Sequence, residues 1–175
     1  GTTSIQRFLH QERESLIKHG ILYPSTFGQT NHIKLSQSII NLKKKTPARK
    51  IFGIDSIESL NNFKEKLKAA FMDEVDKSCP KKIIISSEQL SALVSSKEEV
   101  CELEGFFRNI NPDFTYLLTV RNQEDIMQSM YSTMIKSGYT QDFKIKDSNL
   151  KLLKYNFSSL IDVFTSNSNA DVKVS

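Results

Sequence analysis

The sequence predicts an α/β fold of three layers, a central parallel sheet flanked by helices. Three observations carry this. Two short runs rich in β-branched and aromatic residues, Ile83-Ile84-Ile85-Ser86 and Phe114 to Val120, lack the alternation of a half-exposed strand and read as strands buried on both faces. Apolar residues recur at helical spacing on either side of them. Strand and helix alternate along the chain, the order that produces a parallel sheet with right-handed crossovers. The 175 residues suit one domain, 1–175, a length able to bury roughly 70% of its unfolded surface.

In chain order, a first helix is expected from about Thr3 to His19, with Ile5, Phe8, Leu9, Leu16 and Ile17 inward and Gly20 as a left-handed C-cap. A short apolar segment, Ile21-Leu22-Tyr23, stops at Pro24. A polar stretch covers 25–31, and a second helix covers 32–43. Residues 43–55 are basic and irregular, the expected place for a flexible insertion. Asp55 and Glu58 have capping-box spacing for a long helix whose face is Leu60, Phe63, Leu67, Phe71 and Val75, ending at Cys79-Pro80. After the strand at 83–86, Ser96 and Glu99 cap a helix with Val100, Leu103, Phe106, Phe107 and Ile110 inward, ended by Asn111-Pro112. The strand Phe114 to Val120 leads into a helix over 123–136 that stops at Ser137-Gly138. A last helix covers 149–164, and Val172 to Ser175 begins a further strand.

The most informative residues are the first. Gly1-Thr2-Thr3-Ser4 run into the first helix, where N–H groups without intrahelical partners and the helix dipole make an anion cradle. Such a turn normally follows a buried strand, so Gly1 is expected to lie inside a phosphate-binding loop of a longer protein. Arg121 ends the second strand ahead of Asn122, a good N-cap, and its fork suits phosphate; Ser129 lies two turns into the helix that follows. Glu88 follows the strand at 83–86, where a carboxylate can take a proton from an acceptor hydroxyl. His32, in Thr30-Asn31-His32, is a second candidate base or a substrate-orienting group. Each has a plainer alternative: a helix N-cap for the Gly1 turn, a surface ion pair with Glu124 or Asp125 for Arg121, a cap or a lysine partner for Glu88, and an Asn31-capped helix start for His32. In open parallel sheets ligands bind beyond the carboxyl ends of the strands, where the Gly1 loop, Ser86-Ser87-Glu88 and Arg121 are expected to converge.

Composition narrows the classes. The net charge of +4 owes much to Lys43-Lys44-Lys45, which reads as a solvated loop, and no basic residues interleave with aromatics as in single-strand binders, so no nucleic-acid partner is expected. Cys79 and Cys101 form no metal-ligand cluster, no metal is expected, and a reducing, cytoplasmic setting is compatible with them. No apolar stretch approaches the ~20 residues of a membrane helix.

Together these motifs resemble the bacterial sulfotransferase family, which uses 3′-phosphoadenosine 5′-phosphosulfate and has a P-loop-like fold. That family carries a Lys-Thr-Gly-Thr-Thr-Ser-(Ile/Leu)-Gln loop, matched by Gly1-Thr2-Thr3-Ser4-Ile5-Gln6; a helix ending in His-Gly-(Ile/Val)-Leu-Tyr-Pro, matched by His19 to Pro24; a Ser-Ser-Glu after a central strand, matched by Ser86-Ser87-Glu88; and an Arg at a strand end with a Ser in the next helix, matched by Arg121 and Ser129. The resemblance covers most of the chain outside 43–78. It implies that Gly1, Thr2, Thr3 and Ser4 hold the 5′-phosphosulfate, that Arg121 and Ser129 hold the 3′-phosphate, that Glu88 or else His32 is the base, and that the acceptor is a carbohydrate or lipid-linked hydroxyl. The family's loop lysine and first strand belong before Gly1 and its last part beyond Ser175, so the resemblance implies a parent enzyme of which this piece alone is inactive. A P-loop kinase is the main alternative, but Thr2 stands where Gly-Lys-(Ser/Thr) needs lysine, and no Asp follows either strand. A non-catalytic domain of the same fold is the third; Glu88 and Arg121 are both present, which such a domain does not require.

Overall fold

The computed structural model describes residues 2–110, 113–120, 122–136, 138–142, 156–168 and 170–175. The chain forms two compact units, residues 1–94 and 95–175. The class is mixed α/β, mostly helical, with two small parallel sheets of two strands each.

In the first unit, α1 (Thr2–Gln11) and α2 (Arg13–Lys18) replace the single helix expected over 3–19. The joint at Glu12 is a bend: Glu12 N–H still bonds Phe8 O at 2.9 Å, and Leu16 N–H bonds Glu12 O at 2.8 Å. Gly20 ends α2 in the left-handed region at φ +74°, as expected of a C-cap. The inward face is rotated from expectation. Leu9 and Gln6 are buried, whereas Ile5 and Phe8 are exposed. Positions 6, 9 and 13 form one i, i+3, i+7 stripe, and that stripe faces the core because Gln6 and Arg13 have polar partners there.

Strand β1 (Ile21–Leu22) pairs in parallel with β2 (Lys82–Ile83), Ile21 opposite Lys82 and Leu22 opposite Ile83. Both are shorter than the apolar runs suggested. Ile84 N–H still reaches Leu22 O at 2.8 Å, but Pro24 has no N–H with which to carry the ladder on.

Between them, α3 (Ile33–Ile39) packs against α4 (Pro47–Ile51), α5 (Ile57–Ser78) and α6 (Glu88–Leu93), and its residues Leu35 to Ile39 are all buried. Residues 43–55 are not the expected flexible insertion. Thr46 caps α4, Pro47 occupies its first turn, and Arg49, 3% exposed, donates to the carbonyls of Gln37, Ile40, Asn41 and Lys44. That guanidinium satisfies the orphan carbonyls at the end of α3 and ties the basic stretch down. The long helix α5 begins one residue later than the Asp55/Glu58 spacing implies. Ser56 and Ser59 cap each other's backbone N–H groups, while the Asp55 carboxylate accepts from Ser59 Oγ instead of capping a helix N–H. Leu60, Leu67 and Phe71 are buried along its face, with Phe71 4.6 Å from the Phe27 ring. It ends where expected, at Cys79 in the left-handed conformation before Pro80.

In the second unit, α7 (Lys97–Phe107) has the predicted cap: Ser96 Oγ accepts from Glu99 N–H, and the buried Glu99 carboxylate accepts from Ser95 N–H at 2.8 Å. Val100, Leu103, Phe106 and Phe107 are buried. Strand β3 (Thr115–Leu118) lies parallel to β4 (Asp171–Val174), Thr115 opposite Asp171 and Leu118 opposite Val174, and Val120 N–H bonds Ser175 O beyond the ladder. Helix α8 (Gln123–Lys136) matches expectation, started by Asn122 Oδ1 on Glu124 N–H. Helix α9 (Phe157–Asn167) buries Leu160 and Phe164 against α7 and β3. The expected terminator Asn111-Pro112, Ser137 and most of the start of the last predicted helix lie outside the described residues.

In place of the expected central parallel sheet, β2 pairs with β1 and β3 with β4, and no central multi-strand sheet is present among the described residues. Among those residues no helix is long and apolar enough to cross a membrane.

Candidate functional site

Because β1 and β2 are parallel, the segments leaving them, Tyr23 to His32 and Ile84 to Glu88, emerge at the same edge of the first sheet. They are joined there by a reciprocal pair. His32 N–H donates to Ser86 O at 3.1 Å, and Ser86 N–H donates to His32 Nδ1 at 3.1 Å. From the other side Gln6 Nε2 donates to Ser86 Oγ at 3.3 Å. Gln6 lies one turn from the start of α1, about 6 Å along the axis. The helix start carrying Thr2-Thr3-Ser4, the Ser86–Glu88 turn and His32 therefore share one edge of the first unit.

Two clamps hold the Tyr23–His32 loop. Arg13 of α2 donates through Nε to Tyr23 O at 2.8 Å and through Nη2 to Gln29 O at 2.8 Å, reaches Gln29 Oε1 and Pro24 O, and lies 5.4 Å over the Tyr23 ring. Glu74 of α5 accepts four bonds, from the N–H and Oγ of Ser25 and from the N–H and Oγ1 of Thr26. Burial pushes the Glu74 carboxyl up, but these four donors outweigh it and hold it below its ordinary value. Gly28 permits the tight return at φ +140°, where a Cβ would lie 2.3 Å from Asn31 O. The Tyr23 hydroxyl closes the loop on Thr30 O, and burial raises its pKa against the opposing pull of Arg13.

His32 is fully buried, its ring 4.4 Å from that of Tyr23 and 5.9 Å from that of Phe27. Burial, reinforced by the Arg13 charge and opposed by the Pro24 carbonyl and Glu74, lowers its pKa to about 4. Three buried polar atoms at this edge, Asn31 Oδ1, His32 Nε2 and Ser87 Oγ, have no hydrogen-bond partner among the described residues.

Among the other expected site residues, Thr3 and Ser4 are exposed in the first turn of α1, and Thr2 opens that helix. Glu88 is exposed as the first residue of α6, directly after the N-cap Ser87. Ser129 is exposed on α8 in the second unit, its carbonyl accepting from Thr133 Oγ1. Gly1 and Arg121 lie outside the described residues. Arg13 and Glu74 escaped sequence reading, since their partners are main-chain groups and small hydroxyls that no spacing rule links to them. Among the described residues no cluster of three or more His, Cys, Asp or Glu is placed to hold a metal. Comparison with protein-family models, curated proteins and solved structures finds no match to this chain.

Proposed function

We propose that this chain belongs to a sulfotransferase that moves the sulfuryl group of 3′-phosphoadenosine 5′-phosphosulfate to a hydroxyl acceptor, a carbohydrate or lipid-linked glycan, in the cytoplasm. The observation that carries the reading is the Gln6–Ser86–His32 connection, which brings the Thr-Thr-Ser helix start, the Ser-Ser-Glu turn and His32 to one strand edge. In-line sulfuryl transfer needs positioning and charge stabilisation more than covalent help. The N–H groups and hydroxyls of Gly1 to Ser4 suit the 5′-phosphosulfate, and exposed Glu88 at the adjacent turn suits the acceptor proton. Arg121 and Ser129 are assigned to the 3′-phosphate on the sequence pattern. The complete three-layer, P-loop-like sheet belongs to the same proposal.

Calorimetry decides it. The full-length parent should bind adenosine 3′,5′-bisphosphate well ahead of ATP. Arg121→Ala should weaken that binding by about 1.5–3 kcal/mol, the cost of a lost Arg–phosphate pair. Equal affinity for both nucleotides, unchanged by the substitution, rejects the reading.

A further inference from the structure

Two bases were open for the site, Glu88 and His32, and the geometry around His32 separates them. Ser86 N–H can only donate, so His32 Nδ1 is an unprotonated acceptor. The proton of the neutral ring is then on Nε2, leaving no basic nitrogen free. His32 is also fully buried, while Glu88, two residues beyond the backbone it grips, is exposed. We propose that His32 is a positioning residue, a neutral strut that holds the Ser86–Glu88 turn against the Tyr23–His32 loop, and that Glu88 alone faces the acceptor as base.

The surroundings are built for such a strut. Arg13 from α2 and Glu74 from α5 are the charged groups acting on the ring, and Tyr23 packs against it at a 37° tilt. Besides a contact of Arg13 with His10 Nδ1, Arg13 and Glu74 bond the loop that delivers His32, Arg13 at residues 23, 24 and 29 and Glu74 at residues 25 and 26. Protonating Nδ1 would place an N–H against the Ser86 N–H and break the grip, and burial beside Arg13 opposes that protonation.

Nitrogen-15 NMR of the ring tests the strut directly on this chain. The expected result is the Nε2–H tautomer, with His32 remaining neutral from pH 8 to pH 5. An Nδ1–H tautomer, or a ring that titrates near pH 6.5, overturns the proposal. Amide exchange gives a second measure, with Ile84 N–H in the same sheet as the reference. His32→Asn offers a carbonyl oxygen in place of Nδ1 and should keep Ser86 protected relative to Ile84. His32→Leu should speed Ser86 exchange relative to Ile84 by roughly 5- to 100-fold. Equal protection in both variants overturns the proposal. If His32→Leu does not fold, loss of Ser86 protection in His32→Asn does the same. Only the last measure depends on the sulfotransferase reading: in the full-length parent, His32→Asn should retain sulfuryl transfer within about threefold, whereas removing a general base costs roughly 100-fold or more. A loss of that size makes His32 the base. Absence of transfer in the unmodified full-length parent counts against the sulfotransferase reading and leaves the NMR and exchange results to decide the strut.

Discussion

Replacing Arg49 by methionine removes the one guanidinium that satisfies four main-chain carbonyls while keeping most of the buried stem. The four acceptors are not equivalent. Gln37 and Ile40 are buried at 0% and 1% exposure, whereas Asn41 is exposed and Lys44 half-buried. The latter two carbonyls regain water when the guanidinium goes. The former two do not, and each stranded acceptor costs about 1–3 kcal/mol. The expected loss is therefore about 2–6 kcal/mol, a large share of the ~5–15 kcal/mol that holds a domain together. Urea unfolding followed by circular dichroism measures it, since the chain has no tryptophan to report by fluorescence. Amide exchange supplies the local signature: Ile54, whose N–H bonds Arg49 O, should lose protection ahead of the sheet amide of Ile84. A loss below about 1 kcal/mol would refute the reasoning, because it would mean that 43–55 is held by something other than Arg49.

The pH dependence of stability follows from His32, whose folded pKa of about 4 lies below its ordinary 6.5. Its stabilisation is complete above pH 6.5 and is lost as pH falls through 4, amounting to at most about 3 kcal/mol; urea midpoints at pH 7 and pH 4.5 should show this drop and His32→Asn should lack it. Glu74→Ala releases the N–H groups of Ser25 and Thr26 to solvent, so those two amides should exchange faster, at a cost of about 0.5–1.5 kcal/mol in overall stability; unchanged exchange rules out Glu74 as the clamp. In the full-length parent, Glu88→Gln keeps shape and hydrogen bonding, should lower sulfuryl-transfer turnover roughly 100-fold or more, and should leave affinity for adenosine 3′,5′-bisphosphate intact; near-normal turnover removes Glu88 as base.

Local chemistry was legible in the sequence wherever a signal and its target lie within one turn. The Ser96 and Glu99 cap, the Gly20 and Cys79 helix stops, and the Asn122 start all stand where the residues indicated, because each acts on backbone two to four residues away. The same locality explains the near miss at Ser56, where adjacent Asp and Ser are both good caps and only the built helix shows which one is used. The motif segments 1–6 and 86–88 were also visible, as residue types suited to anions and to proton transfer. Tertiary structure decided what holds them. Glu74 reaches a loop 48 and 49 residues away in sequence, Ser86 meets His32 across 54, and Gln6 meets Ser86 across 80. None of these ties has a periodicity, because their partners are backbone groups or small hydroxyls that almost any residue could supply. The length of the strands belongs with them. An apolar run marks a segment willing to pair, but a ladder extends only as far as its neighbour offers donors, and beside β2 that neighbour runs into Pro24, which has none.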